Sequence, residues 1–270
     1  VVDFEDGAML AAAVTARTRE VVEALRSLDE PGLVAPSQLE GWSRLTVACH
    51  LRYGAEALRW MTVDTLDGRP TSFYPSGRAE QRPGTLEPAP GETPSEVVGS
   101  LADRSLALDQ AWEEVTGADW DRMVHEPPEN PDLGPLPLMR LTLARLTEVE
   151  VHGTDLGLGL GEWSALFVRA ALRFRLDWLN VRRSNHRNVD DSLHGSWLLV
   201  GSDGPVQLIT VAGSTVRSEP ADDNASATAV IEGTSRDLLA MLLGRPPRHP
   251  LRISGDRAFG ASFSRAFPGP

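Results

Sequence analysis

Apolar residues in the first half of the chain recur at helical spacing. Over residues 5–28, Met9, Ala12, Ala13, Val21, Val22 and Leu25 form one stripe, and a break containing Pro31, Gly32 and Pro36 follows. Ser43 stands where an N-cap belongs and opens a second predicted helix to about residue 66. Its inward face carries Val47, His50, Leu51, Gly54, Leu58 and Met61. Residues 68–94 are rich in Pro, Gly, Arg and Glu and read as a long loop, a length often used for functional lids. Thr93 or Ser95 can cap a third helix that places Val97, Leu101, Leu108 and Trp112 on one side. A proline-rich passage over 127–137 precedes a fourth helix at 138–156, and a fifth helical pattern covers 164–181. Long amphipathic helices with such connections predict an antiparallel bundle.

After His186 the period changes. Residues 195–200 and 206–212 are short β-rich runs on either side of the turn signal Ser202-Asp203-Gly204, and 227–231 is a third strand candidate. Thr234 or Ser235 caps a short helix through 243, residues 251–254 are strand-like, and Asp256 opens a last helix. The expected fold class is therefore α+β. A helical domain over 1–186 precedes a small α+β domain over 187–270.

Composition narrows the chemistry. The chain has 270 residues, enough for two domains, and its 26 basic and 38 acidic side chains leave a net charge of −12. Such a surface disfavours nucleic acid, because phosphate contacts need a basic face. No apolar run is long enough to span a membrane. The apolar stretch at 8–14 has acids in front of it, which argues against a secretory signal. Every basic residue is arginine, so Schiff-base and P-loop lysine chemistry are excluded. The single cysteine, Cys49, permits no intrachain disulfide and no cysteine-built zinc knuckle, and the chain reads as cytoplasmic.

The most informative segment runs from Thr147 to Asp155. Glu148 and His152 stand four apart, so on a helix they project from one face and can bind the same ion; a solvated ion pair is the alternative. His50 lies in mid-helix on an apolar stripe, where a buried imidazole needs a partner, either a neighbouring core group or an ion. Together His50, Glu148 and His152 would make a three-ligand site with one position open, as catalytic zinc sites have. Asp155, one turn after His152, either steadies an imidazole or is a surface acid at the helix end.

These residues also carry a resemblance. Gly41-Trp42-Ser43 with Ala48-Cys49-His50-Leu51, together with Glu148-x-x-x-His152-x-x-Asp155-Leu156, resembles the mycothiol-dependent maleylpyruvate isomerase family. So do Val230 to Thr234, Gly244-Arg245 and Ser254-Gly255-Asp256 near the end. The resemblance implies a DinB-like four-helix metal-binding domain followed by a small α+β domain. It implies that His50, Glu148 and His152 bind a divalent metal, usually Zn2+, and that the open position receives the thiol of mycothiol, with Asp155 beside the site. A thiolate of that kind would add to a cis double bond conjugated to a carbonyl. The former double bond would rotate, and expulsion of the thiolate would leave the trans product. Tyr74 and Arg78 fall in a Tyr-Pro-x-x-Arg loop similar to one in the isomerase branch. Glu150 is a departure, standing where relatives often have a large apolar residue.

A dianionic keto-acid needs a local cationic patch on so acidic a protein. Arg78 and Arg82 in the long loop and Arg245 in the second domain are the candidates, because a guanidinium grips a carboxylate through two donors. The expected partners are mycothiol and a small-molecule substrate, with the chain a monomer or small homo-oligomer. Three other readings compete. A mycothiol S-transferase would use the same ligands and consume the thiol. A hydrolase would need a general base, for which Glu150 is the candidate. A non-enzymatic scaffold carrying an apolar-ligand domain leaves the three ligands unexplained. The tryptophans read as packing residues, with Trp42 as a staple at the second helix's start.

Overall fold

The computed structural model describes residues 6–128, 135–179, 193–213 and 215–269. The chain divides into two units, Val1–Ser164 and Ala165–Pro270. The first unit begins with α1 (Gly7–Arg26), capped by the Asp6 carboxylate, which accepts from the N–H groups of Ala8 and Met9. The expected break contains a short helix, α2 (Glu30–Val34), because Asp29 caps it and Pro31 fits its first turn. Then α3 (Arg44–Leu66) starts at Ser43, whose Oγ accepts from Thr46 N–H. The passage expected as one loop holds a helix of its own, α4 (Arg78–Thr85). Gly77 enters it at φ 88°, and Pro83 lies inside it. Next, α5 (Pro94–Glu113) opens on a reciprocal capping box between Thr93 and Glu96.

A two-residue antiparallel ladder, β1 (Met123–Val124) with β2 (Leu136–Pro137), leads into α6 (Met139–Asp155). Helix α1 packs against α5 and α6, and α3 packs against the same two, closing a four-helix ring. Leu25, Val47, Met61, Leu101 and Leu146 fill it with no exposed surface. No described helix is long and apolar enough to cross a membrane.

The boundary expected at 186/187 lies outside the described residues, and the unit division falls earlier. Helix α7 (Ala165–Asp177) begins close to where its apolar pattern does, but belongs to the second unit. Its buried Phe167, Ala171, Leu172 and Leu176 serve a helix that packs on helix Ser235–Leu242 and on a strand of the second unit. An apolar stripe announces that a helix is half buried without saying against what.

The sheet comprises β3 (His194–Gly201), β4 (Val206–Ala212), β5 (Thr215–Pro220), β6 (Ala229–Gly233) and β7 (Arg252–Gly255). Their order is β5-β4-β3-β6-β7, antiparallel throughout except for the β3–β6 pair. The sequence pattern missed β5, an edge strand with one buried residue, Val216. In central β3, the Trp197 ring stacks on Phe259 at 4.3 Å, meets Phe263 and Phe267 edge-on, and donates its Nε1–H to the Phe259 carbonyl at 3.0 Å. Trp197→Ala is expected to cost about 3–5 kcal/mol of stability in urea unfolding of the full chain. A loss below about 1 kcal/mol would show that this ring does not anchor the unit's core.

Candidate metal centre

Helices α3 and α6 pack directly on one another, and this contact brings together three groups far apart in sequence. His50 Nε2 lies 2.6 Å from Glu148 Oε2, and His152 Nε2 lies 3.3 Å from the same oxygen. All three donor atoms fall within 4.8 Å of one another, as expected from the sequence reading. Ligand atoms around a tetrahedral ion with bonds of about 2.0–2.1 Å would stand about 3.3 Å apart, so only a small adjustment separates this cluster from a coordination sphere. His50 Nδ1 is buried with no hydrogen-bond partner, which leaves the ring's polar engagement at Nε2, on the cluster side. His152 Nδ1 instead meets Asp155 Oδ2 at 2.9 Å. With the proton held at Nδ1, the Nε2 lone pair of His152 points to the cluster, as metal-binding histidines require. The residues therefore fit a divalent ion. Glu148 keeps 40% of its side-chain surface exposed against 13% and 12% for the two histidines, so the cluster opens on the carboxylate side.

The charges are strongly coupled. Burial opposes the negative charge on Glu148, yet the two imidazoles hold its carboxyl well below the usual range. Burial also opposes protonation of His152, but hydrogen bonds to Asp155 and Glu148 push its pKa up to about 9. For His50 burial prevails, and its pKa falls below the ordinary histidine value despite the pull of Glu148.

Other sequence candidates are distributed unevenly. Helix α4 brings Arg82 in: its guanidinium lies 6.0 Å from the Trp42 ring centre and donates to Tyr74 Oη at 3.4 Å. Arg78, one turn earlier, sits over the Tyr74 ring at 5.4 Å. Tyr74 is itself buried and stacked on Tyr53 at 5.3 Å, so it is a platform under two cations. Asp155 is buried, and its carboxylate meets His152 Nδ1. Arg245 belongs to the second unit, where it lines a cavity of about 480 Å³ with Met241, Pro246, Leu251, Ile253 and Phe263.

Glu150, weighed as a general base or a substrate wall, is engaged elsewhere. It is buried, its Oε2 lies 3.1 Å from Arg17 Nε, and its Oε1 accepts the Ser164 N–H at 3.1 Å. Cys49 is fully buried, and burial raises its thiol pKa to about 11, so it is no nucleophile at neutral pH.

The sequence marks Trp42 only as a packing residue and does not single out Arg145. Trp42 touches both imidazoles: it is stacked with His152 at 6.0 Å and edge-on to His50 at 5.5 Å. Arg145 has no exposed surface; it donates to the Leu51 carbonyl at 2.8 Å and to Ser105 Oγ at 3.3 Å. Its position three before Glu148, on the same helix face, was the one available signal.

Residues 13–157 match the family described as the mycothiol maleylpyruvate isomerase N-terminal domain. Two solved structures are similar over 94% of this chain and 93% of their own, each at 20% identity. One is a mycothiol-dependent maleylpyruvate isomerase, with a TM-score of 0.66; the other is a histidine-to-alanine variant of such an isomerase, with a TM-score of 0.65. No curated protein matches the sequence. With more than half of its length covered by that match and the His–Glu–His cluster inside it, the chain belongs to the mycothiol maleylpyruvate isomerase N-terminal domain family.

Proposed function

We propose that this protein is a divalent-metal enzyme that activates the thiol of mycothiol for cis–trans isomerisation of a maleylpyruvate-type unsaturated keto-acid. The observation that carries this reading is the convergence of His50 Nε2, Glu148 Oε2 and His152 Nε2 on one point, in a chain of that family. Two imidazoles and a carboxylate are donors that suit Zn2+. A divalent ion bound there supplies the Lewis acidity that favours thiolate over thiol at neutral pH.

The chain's own residues do the rest. Asp155 keeps the Nδ1 proton on His152 and so directs Nε2 to the cluster. The exposed side of Glu148 admits ligands from solvent. Cys49 is walled off, so the chain's own thiol does not compete with an external one. Arg78 and Arg82, four residues apart on α4 and organised around Tyr74, offer two guanidinium groups to a dianionic substrate. The same ligand set would serve a mycothiol S-transferase, and the fate of the thiol separates the two.

Purified wild type is expected to carry about one equivalent of metal, which His152→Ala loses together with at least about a hundredfold in activity. Incubation with mycothiol and maleylpyruvate should yield trans product with the thiol undiminished. Consumption of the thiol into a conjugate would select the transferase, and a metal-free wild type would overturn both.

A second expectation follows from protonation. At pH 7 Glu148 and His50 are already in their ligating forms, whereas His152, with its pKa near 9, holds a proton. Metal uptake should therefore release about one proton at pH 7. Affinity should rise about tenfold per pH unit up to about pH 9 and then level off. Calorimetry in buffers of different ionisation enthalpy measures this directly. Finally, Glu150→Gln should lower stability by about 1–3 kcal/mol, because it weakens the buried pairing with Arg17, while leaving metal content unchanged. Loss of metal in that variant would return Glu150 to the site.

A further inference from the structure

Trp42 immediately precedes the cap of α3, a position that usually serves packing. Its surroundings are more specific than packing requires. The indole touches His152 from α6 in a nearly parallel stack, with 11° between the rings, and His50 from α3 at 77°. The Arg82 guanidinium from α4 lies within cation–π range of the same ring. One side chain thus contacts both imidazoles of the cluster and the Arg82 guanidinium.

The backbone that carries the ring is tied down. Gly41 takes φ 78°, the turn that brings the chain round to Trp42, and the Trp42 carbonyl accepts from Ser37 N–H at 2.8 Å. Pro36 and Ser43 form a bridge across the same loop. Gln38 N–H donates to the Asp155 carbonyl at 2.7 Å, so the loop is tied to the residue whose carboxylate orients His152. His50, by contrast, has no hydrogen bond at Nδ1 to set its ring angle. Its ring is constrained by the Nε2 contact with Glu148 and by the edge-on contacts with Trp42 and with His152 at 4.9 Å.

We infer that Trp42 is a positioning residue of the metal centre: its indole sets the angle of both ligating imidazoles and holds the Arg82 guanidinium against its ring. This rests on the metal reading above. The expected consequence is that loss of the ring loosens the coordination geometry and the thiol complex, with the fold retained.

The test loads wild type, Trp42→Leu and Trp42→Phe with Co2+. It reads the visible d–d band at saturating metal, Co2+ affinity by competition with a chromogenic chelator, and the thiolate-to-cobalt charge-transfer band on titration with mycothiol. Trp42→Leu should bind Co2+ about tenfold more weakly, with a shifted d–d band. Trp42→Phe, which keeps a smaller ring and the fold, should lose about threefold, and in both variants mycothiol affinity should fall further than Co2+ affinity. A folded Leu variant that binds like wild type overturns the inference, and so does a Phe variant with wild-type affinities and an unmoved band. Wild type that takes up no cobalt fails the metal reading itself, and the inference falls with it.

Discussion

A guanidinium with no contact to solvent sits one turn before Glu148 and holds three helices of the bundle in register. Arg145 extends from α6, donates to the carbonyl of Leu51 on α3, and reaches Ser105 on α5. Leu51 directly follows His50, so this bond links the turn that carries one ligand to the turn that carries another. Gly54 is part of the same arrangement. A Cβ there would stand 3.2 Å from Arg145 Nη1, so the missing side chain leaves room for the cation against α3. Burying such a charge is costly unless it is paired. Burial lowers the Arg145 pKa to about 10, opposed by the charges of Glu148 and Asp109, and the group stays cationic at neutral pH.

Glu148 is consequently the electrostatic centre of the helical unit. Arg145 lies behind it, two imidazoles face it, and its own charge is the common partner. Without metal, part of that negative charge is balanced by the proton on His152. A cation that displaces the proton meets donors already turned inward, so little reorganisation is needed. The same unit keeps its other buried acid, Glu150, away from the cluster by pairing it with Arg17 across the α1–α6 contact. Two carboxylates two residues apart on one helix therefore lie in opposite environments.

Much of the framework was legible because caps and apolar periodicity are local properties. Ser43 and Thr93 start α3 and α5, and the spacing of Glu148 and His152 announced a shared face. Helix α4 was obscured by its Pro and Gly content, although Arg78 and Arg82 are spaced as a helix places them. Strand β5 was obscured by its single buried residue. Arg17 and Arg145 look like any other arginine on an amphipathic helix in a chain with 26 of them. Their burial depends on what the neighbouring helices leave open.

The sequence by itself determined where most helices begin, which faces are apolar, that lysine and disulfide chemistry are absent, and which three residues could share an ion. Each of these follows from residue type and short-range spacing. Tertiary structure decided the rest: that His50 meets Glu148 from another helix, that Trp42 lies against both imidazoles, that Arg82 reaches the Trp42 ring, that Glu150 turns to Arg17, and that α7 belongs to the second unit. These outcomes depend on which helix faces meet. The pattern along a chain sets each face but leaves its partner open, and the partner is settled only when every buried charge and ring has found one.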